Sequence, residues 1–218
     1  MKKRSEHTIF ISGIDTNIGK TYATAYLIKK LRAEGFRCTS QKMIQTGNKD
    51  YSEDIQKHRE LLGEKLQEED LNRTTAPIIL SYPASPHLAA KLDQVSVDLN
   101  KLNQATNILL NDYDYDFVLL EGAGGLMVPI REDYLTLNFI QEEAYPLALV
   151  TSGRLGSLNH TLLSLEVCKL RQLEVRYLIY NHYPKVDGII ETDSLNYLSL
   201  YLEKHFPETK LLELELID

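Results

Sequence analysis

Short apolar runs ending in a polar residue, each followed by a stretch of helical period, set the tightest limit on how this chain can fold. His7–Ser12 reads as a strand, Lys20–Glu34 as a helix that Gly35 stops, and Phe36–Met43 as a second strand. Ser52–Leu62 and Asp98–Leu110 carry helical spacing, the latter with Leu99, Leu102, Thr106 and Leu109 on one side. The runs Asp116–Glu121, Pro146–Thr151 and Val175–Asn181 read as further strands, with helices expected over Ser157–Leu173 and Ile189–Lys204. Strands that are apolar on both faces and separated by helices belong in a parallel sheet covered on both sides. The expected class is α/β: a doubly wound, mostly parallel sheet with helices on both faces, as one domain over residues 1–218. No repeat, low-complexity segment or linker divides it.

The first strand runs into Gly13-Ile-Asp-Thr-Asn-Ile-Gly19-Lys20-Thr21. This is a Walker A variant with five residues between the glycines instead of the common four. Its context, strand before and helix after, is the one such a loop requires. Glycines let the backbone wrap a polyphosphate, and the N–H groups of Asn17, Ile18, Gly19 and Lys20 at the helix start face the anion. Lys20 bridges β- and γ-phosphates as a point charge, and Thr21 offers a hydroxyl to Mg²⁺. The expected ligand is therefore ATP with Mg²⁺. Partition-type ATPases place a second lysine five residues before the P-loop lysine; here that position is Asp15, which cannot neutralise phosphate. A nucleotide-switch ATPase of the partition or regulatory type is the alternative reading, and Asp15 weighs against it.

The formal charge of −7 and pI near 5.4 weigh against a nucleic-acid partner. No apolar stretch approaches the roughly 18 residues of a membrane span, and the basic N-terminus lacks a signal-peptide core. Cys38 and Cys168 stand far apart and outside any C-x-x-C pattern, as small core residues of a reducing compartment do. A cytoplasmic protein is expected. The acidic stretch Gly63–Asp70 (GEKLQEED) reads as a solvated helix end or loop. Tyr113 and Tyr115 read as a packing patch at a helix exit.

Six stretches together resemble the dethiobiotin synthetase family: GIDTNIGKT; QKMIQTG (Gln41–Gly47), with Met43 where the family has proline; SEDI, which carries Asp54; SYPASPHLAA (Ser81–Ala90); EGAGGLMVPI (Glu121–Ile130); and GRLGSLNHTLLSLEV (Gly153–Val167). The resemblance spans about residues 8–182. It implies ring closure of 7,8-diaminononanoate with CO₂ and ATP, giving dethiobiotin, ADP and phosphate.

The residue roles follow from that resemblance. Lys42 and Lys20 are the catalytic cations, Lys42 holding the carbamate, although a strand-end lysine is ordinarily solvated. Thr21, Asp54 and Glu121 are the metal ligands; on its own chemistry Asp54 could equally be a first-turn acid facing the helix dipole. Tyr22, Gly122, Ala123, Gly124, Asn181 and His182 complete the ATP set with the P-loop residues. A strand-end asparagine also suits a plain turn, and His182, like His58, His87, His160 and His205, shows no acid–base partner by spacing. Thr16, Thr46, Gly156, Ser157 and Asn159 join Lys42 in binding the diamine substrate. In the family the segment corresponding to Leu155–His160 comes from the partner subunit and holds the substrate's carboxyl tail, which implies a homodimer with composite sites; alternatively, Ser157 or Asn159 simply caps a helix. The tail KLLELELID lacks the Gly-x-x-Pro that family members set near ribose or base.

Overall fold

The computed structural model describes residues 2–185 and 187–215. Six strands form one parallel sheet in the spatial order Lys210–Leu214, Val175–Asn181, Leu147–Ser152, Thr8–Gly13, Phe117–Gly125, Cys38–Lys42. Order reverses beside the P-loop strand: later strands stack on one side of it, while Phe117–Gly125 and Cys38–Lys42 lie on the other. Ligands of such sheets bind at this switch point, outside the strands' carboxyl ends.

The interior runs of β-branched and aliphatic residues are buried because both faces are covered. Ile9, Ile11, Leu119, Val150 and Ile179 face the helix Lys20–Ala33 through Ala23, Leu27, Ile28 and Leu31. Their neighbours Phe10, Leu120, Leu149 and Leu178 point the other way, onto Leu102, Phe139, Leu165 and Leu198. These last four come from the helices Leu99–Asn111, Thr136–Glu143, Ser157–Leu170 and Gly188–His205. Each such side chain contributes about 1.5–3 kcal/mol on burial, so the two layers together fix strand register. Both cysteines are buried, and burial pushes each thiol up to about 12. Tyr113 and Tyr115 pack on Leu109, Leu110 and Val118. Among the described residues, no helix is long and apolar enough to cross a membrane.

One strand is added to those read from the sequence, and two local expectations change. The tail holds the sixth strand, Lys210–Leu214, which pairs in register from Lys210 with Tyr177 to Leu214 with Asn181. The acidic stretch is only partly solvated: Glu68–Leu71 forms a helical turn that buries Glu69 and sets Asp70 against buried Arg59 at 2.8 Å. An acid so placed is there to satisfy the guanidinium, whose five donors need partners once buried. Neither Ser157 nor Asn159 caps its helix. Gly156 does, with φ +93°, and Ser157 is turned inward to Ser152, their hydroxyls 3.2 Å apart.

Candidate active site

The site is built by register. Glu121 sits opposite Ile11 on one side and Lys42 on the other, so the carboxylate and the ammonium project from adjacent strands to the same face. Over that face lies the helix opened by the P-loop. Gly19 caps it with φ +97°, and a Cβ there would stand 2.3 Å from the Asn181 amide nitrogen, so only glycine fits. Glu53–Leu62 follows, capped by Ser52, whose hydroxyl accepts from Ile55 N–H at 3.2 Å and donates to Gln45 at 2.6 Å. This cap places Asp54 in the first turn, where it reaches across to the P-loop helix.

The result is a compact polar cluster. The Thr21 hydroxyl lies 3.1 Å from Asp54 Oδ1 and 3.4 Å from Glu121 Oε1. Lys42 Nζ donates to Asp54 Oδ2 at 2.5 Å, to Glu121 Oε1 at 2.8 Å and to the Gly122 carbonyl at 3.2 Å. Lys20 Nζ folds back onto the Asp15 carbonyl at 3.2 Å. Lys42 is therefore a buried counter-ion at the strand end, where ordinary exposure would leave it solvated. Its place at the end of the second strand leads one to expect Lys42 directly beside the P-loop; in the sheet, the Glu121 strand lies between them.

Charge balance follows from burial. Burial alone would push the Glu121 carboxyl up, but the Lys42 ammonium and the His58 ring hold it well below the usual carboxylate range. Burial likewise pulls Lys42 down, and Glu121 and Asp54 more than reverse that, leaving its pKa raised. Lys20 is lowered, chiefly by desolvation with help from Lys42. Lys42 is thus held as a cation against an ionised Glu121, while desolvation works against the charge on Lys20.

A cleft of about 700 Å³ opens above the cluster. Thr16, Asn17, Gly19, Lys20, Thr21, Tyr22, Lys42, Thr46, Asp54, Glu121, Ala123 and Gly124 all line it. Ile44, Gln45, Val128 and the turn Pro83–Pro86 complete the wall. Of the remaining candidates, Ile18 is core and Gly122 supplies a carbonyl to Lys42. The Asn181 amide is engaged inside the protein: it donates to the Ile18 carbonyl at 3.0 Å and accepts from Tyr183 N–H at 3.0 Å. His182 is held between Glu191 at 2.8 Å and Glu213 at 3.0 Å, so it does have acidic partners, supplied by the last helix and the sixth strand. Gly156, Ser157 and Asn159 do not line the cleft.

Sequence reasoning missed three contributors. His58 Nε2 lies 2.8 Å from Glu121 Oε2, and Thr24 Oγ1 lies 3.0 Å from the same oxygen. His58 lies four residues after Asp54, on the same side of its helix, which is the one signal that could have flagged it. The third is Arg154, which pairs with Asp15 at 2.6 Å and ties the P-loop to the loop before Gly156. Nothing local in the sequence marks that pair.

The donor set suits a hard divalent cation. Thr21, Asp54 and Glu121 present only oxygens, two of them on acids, converging beside the P-loop lysine; this is the ligand chemistry Mg²⁺ takes when phosphates and waters supply the rest.

Comparison with other proteins bears on the family. The AAA domain family matches residues 7–210. The ATP-dependent dethiobiotin synthetase BioD 2 of Haemophilus ducreyi is 50% identical over 207 residues, covering 95% of this chain and 97% of that one. Its counterpart from Pasteurella multocida is 48% identical over 208 residues, with 95% and 97% covered. The BioD of Chlorobaculum tepidum is 43% identical over 205 residues, with 94% and 85% covered. Among solved structures, the MinC:MinD cell division complex of Aquifex aeolicus aligns with TM-score 0.56 at 14% identity, covering 96% of this chain and 82% of that one. Chloroplast FtsY of Physcomitrella patens aligns with TM-score 0.51 at 18% identity, with 90% and 55% covered. Those two share the P-loop α/β fold and nothing finer. The close relatives decide the family: this chain belongs to the ATP-dependent dethiobiotin synthetases.

Proposed function

We propose that this protein closes the ureido ring of dethiobiotin from 7,8-diaminononanoate, CO₂ and ATP. One amine adds to CO₂ and loses a proton, giving a carbamate. A carbamate oxygen attacks the γ-phosphorus and ADP leaves, producing a carbamic–phosphoric anhydride. The second amine then attacks the carbonyl carbon; phosphate leaves, a proton is lost, and the five-membered ring is closed. Two anions must meet in line, so the work of the protein is positioning and charge neutralisation.

The observation that carries this reading is the convergence of Lys20, Lys42, Thr21, Asp54 and Glu121 at the floor of one cleft. Lys20 lies at the P-loop, on the side where the γ-phosphate would sit. Lys42 stands on the far side of Glu121 and is suited to the carbamate. Thr46 and Thr16 on the rim suit the amines. Mg²⁺, held by Thr21, Asp54 and Glu121, would screen the phosphate charge. The protein donors act around it: Lys42 already shares both carboxylates and supplies positive charge on the attacking side.

We place a second copy of the chain over this cleft. Gly156, Ser157 and Asn159 lie off their own cleft, and Leu155 and Leu163 are exposed in the same segment. That arrangement suits a cytoplasmic homodimer in which each partner supplies the groove for the substrate's carboxylate tail. Purified protein supplied with the diamine, bicarbonate, Mg²⁺ and ATP tests the proposal. Phosphate release that depends on the diamine is expected; release indifferent to it would overturn the reading in favour of a nucleotide switch.

A further inference from the structure

Glu121 has two oxygens in different surroundings. Oε1 faces the cleft, near Thr21 and Lys42. Oε2 points inward, to His58 Nε2 at 2.8 Å and Thr24 Oγ1 at 3.0 Å. Thr24 has a single proton and also lies 2.9 Å from the Lys20 carbonyl, its ordinary helical partner, so the firm donor to Oε2 is the imidazole. The ring itself is fully buried, and its Nδ1 has no hydrogen-bond partner among the described residues. An orphaned buried ring nitrogen is destabilising, and a leucine would fill this space without it. Among the described residues, the ring's one hydrogen bond is the contact to Glu121.

We infer that His58 is a positioning residue: it pins Glu121 Oε2 through Nε2–H and so presents Oε1 alone, in a fixed direction, to a divalent cation. The inference rests on the reading of Glu121 as a metal ligand. One helix then serves the centre twice, with Asp54 in its first turn and His58 one turn later. Without the imidazole donor, Oε2 has only the shared Thr24 proton. The carboxylate can then rotate about its Cγ–Cδ bond and spend its time on Lys42. Partners of this kind typically change metal affinity about 10- to 100-fold when removed.

Mn²⁺ serves as the probe, titrated into the protein with ADP and followed by the paramagnetic signal of free ion, with no turnover involved. Three substitutions separate the roles. His58→Gln keeps a donor nitrogen where Nε2 stands. His58→Asn places its amide where the orphaned Nδ1 stands, out of reach of Glu121. His58→Leu keeps volume and removes both nitrogens. The Mn²⁺ dissociation constant is expected to rise at least about tenfold in the Asn and Leu variants and to stay within about threefold of the parent in the Gln variant. Half-saturating Mg²⁺ for phosphate release should move in parallel while the KM for the diamine stays put. A merely structural histidine would lower the melting temperature and leave Mn²⁺ affinity alone, and that result overturns the inference. So does Gln failing as badly as Asn, a comparison that stands even if the Leu variant does not fold. Glu121→Gln is the control. If it binds Mn²⁺ as the parent does, the metal-ligand reading falls with the inference; if it loses Mn²⁺ while His58→Leu and His58→Asn do not, only the role of His58 falls.

Discussion

Replacing Lys42 by methionine keeps the length of the stem and removes the ammonium that two carboxylates share at 2.5 and 2.8 Å. Glu121 is the more deeply buried of the two and is left with the imidazole and a shared hydroxyl. The least costly response is for the Glu121 carboxyl to take up a proton. At pH 7.5, protonating a carboxyl of ordinary pKa costs about 4 kcal/mol, because each unit of pH above that pKa is about 1.4 kcal/mol. That sets the expected loss of stability, in line with the 3–5 kcal/mol typical of a broken buried ion pair. It also sets a pH dependence: the same loss should shrink to about 1.5 kcal/mol at pH 5.5, since the proton is more available there. Urea unfolding at the two pH values reads both numbers. Turnover should fall independently, by about 100- to 1,000-fold at saturating ATP, as for loss of one charged transition-state donor. ADP affinity should change far less, because the P-loop is untouched. A variant that unfolds more easily yet turns over normally would reduce Lys42 to a counter-ion and remove it from the chemistry. A stability loss equal at both pH values would refute the electrostatic account itself.

Two further predictions concern groups outside the cluster. His182 titrates between Glu191 and Glu213; burial pulls its pKa down, but these acids outweigh that and raise it. A raised histidine contributes its stability fully below the unfolded pKa and loses it as pH climbs through the folded one, so the protein should be more stable at about pH 6 than at about pH 9 by an amount that His182→Gln abolishes. The ring is partly solvated, so the difference should stay below about 1 kcal/mol, and an unchanged pH profile in the variant would refute the pairing. Asp70→Asn weakens the bidentate contact to Arg59 at 2.8 and 2.9 Å and leaves the buried guanidinium with the more distant Glu64 at 4.0 Å, for a loss of about 3–5 kcal/mol in urea unfolding at unchanged m-value. A loss below 1 kcal/mol would mean that water reaches Arg59, as a solvated acidic loop would have allowed.

What could be read from the chain, and what could not, divides along a physical line. Buried parallel strands have no polar face, so Leu147–Ser152 and Val175–Asn181 stand out as solid apolar runs whatever surrounds them. The P-loop is equally legible, because its chemistry needs consecutive residues. Lys210–Leu214 lies at the sheet edge, half-exposed and interleaved with charge, a pattern that a helix end would share. His58 and Glu121 are 63 positions apart, and Arg154 and Asp15 are 139 apart. Such pairs exist only once strand order is set, since the register that sets Lys42 beside Glu121 is what brings the Asp54 helix over the same carboxylate. Asp54 was ambiguous for the same reason: a first-turn acid suits any helix dipole, and only the crossing of Glu53–Leu62 over Lys20–Ala33 turns it toward Thr21. The cluster is therefore a property of topology acting on locally ordinary residues. A change that shifts the Cys38–Lys42 register by a single residue, turning Lys42 to the other face, would dismantle it without altering any residue of the P-loop.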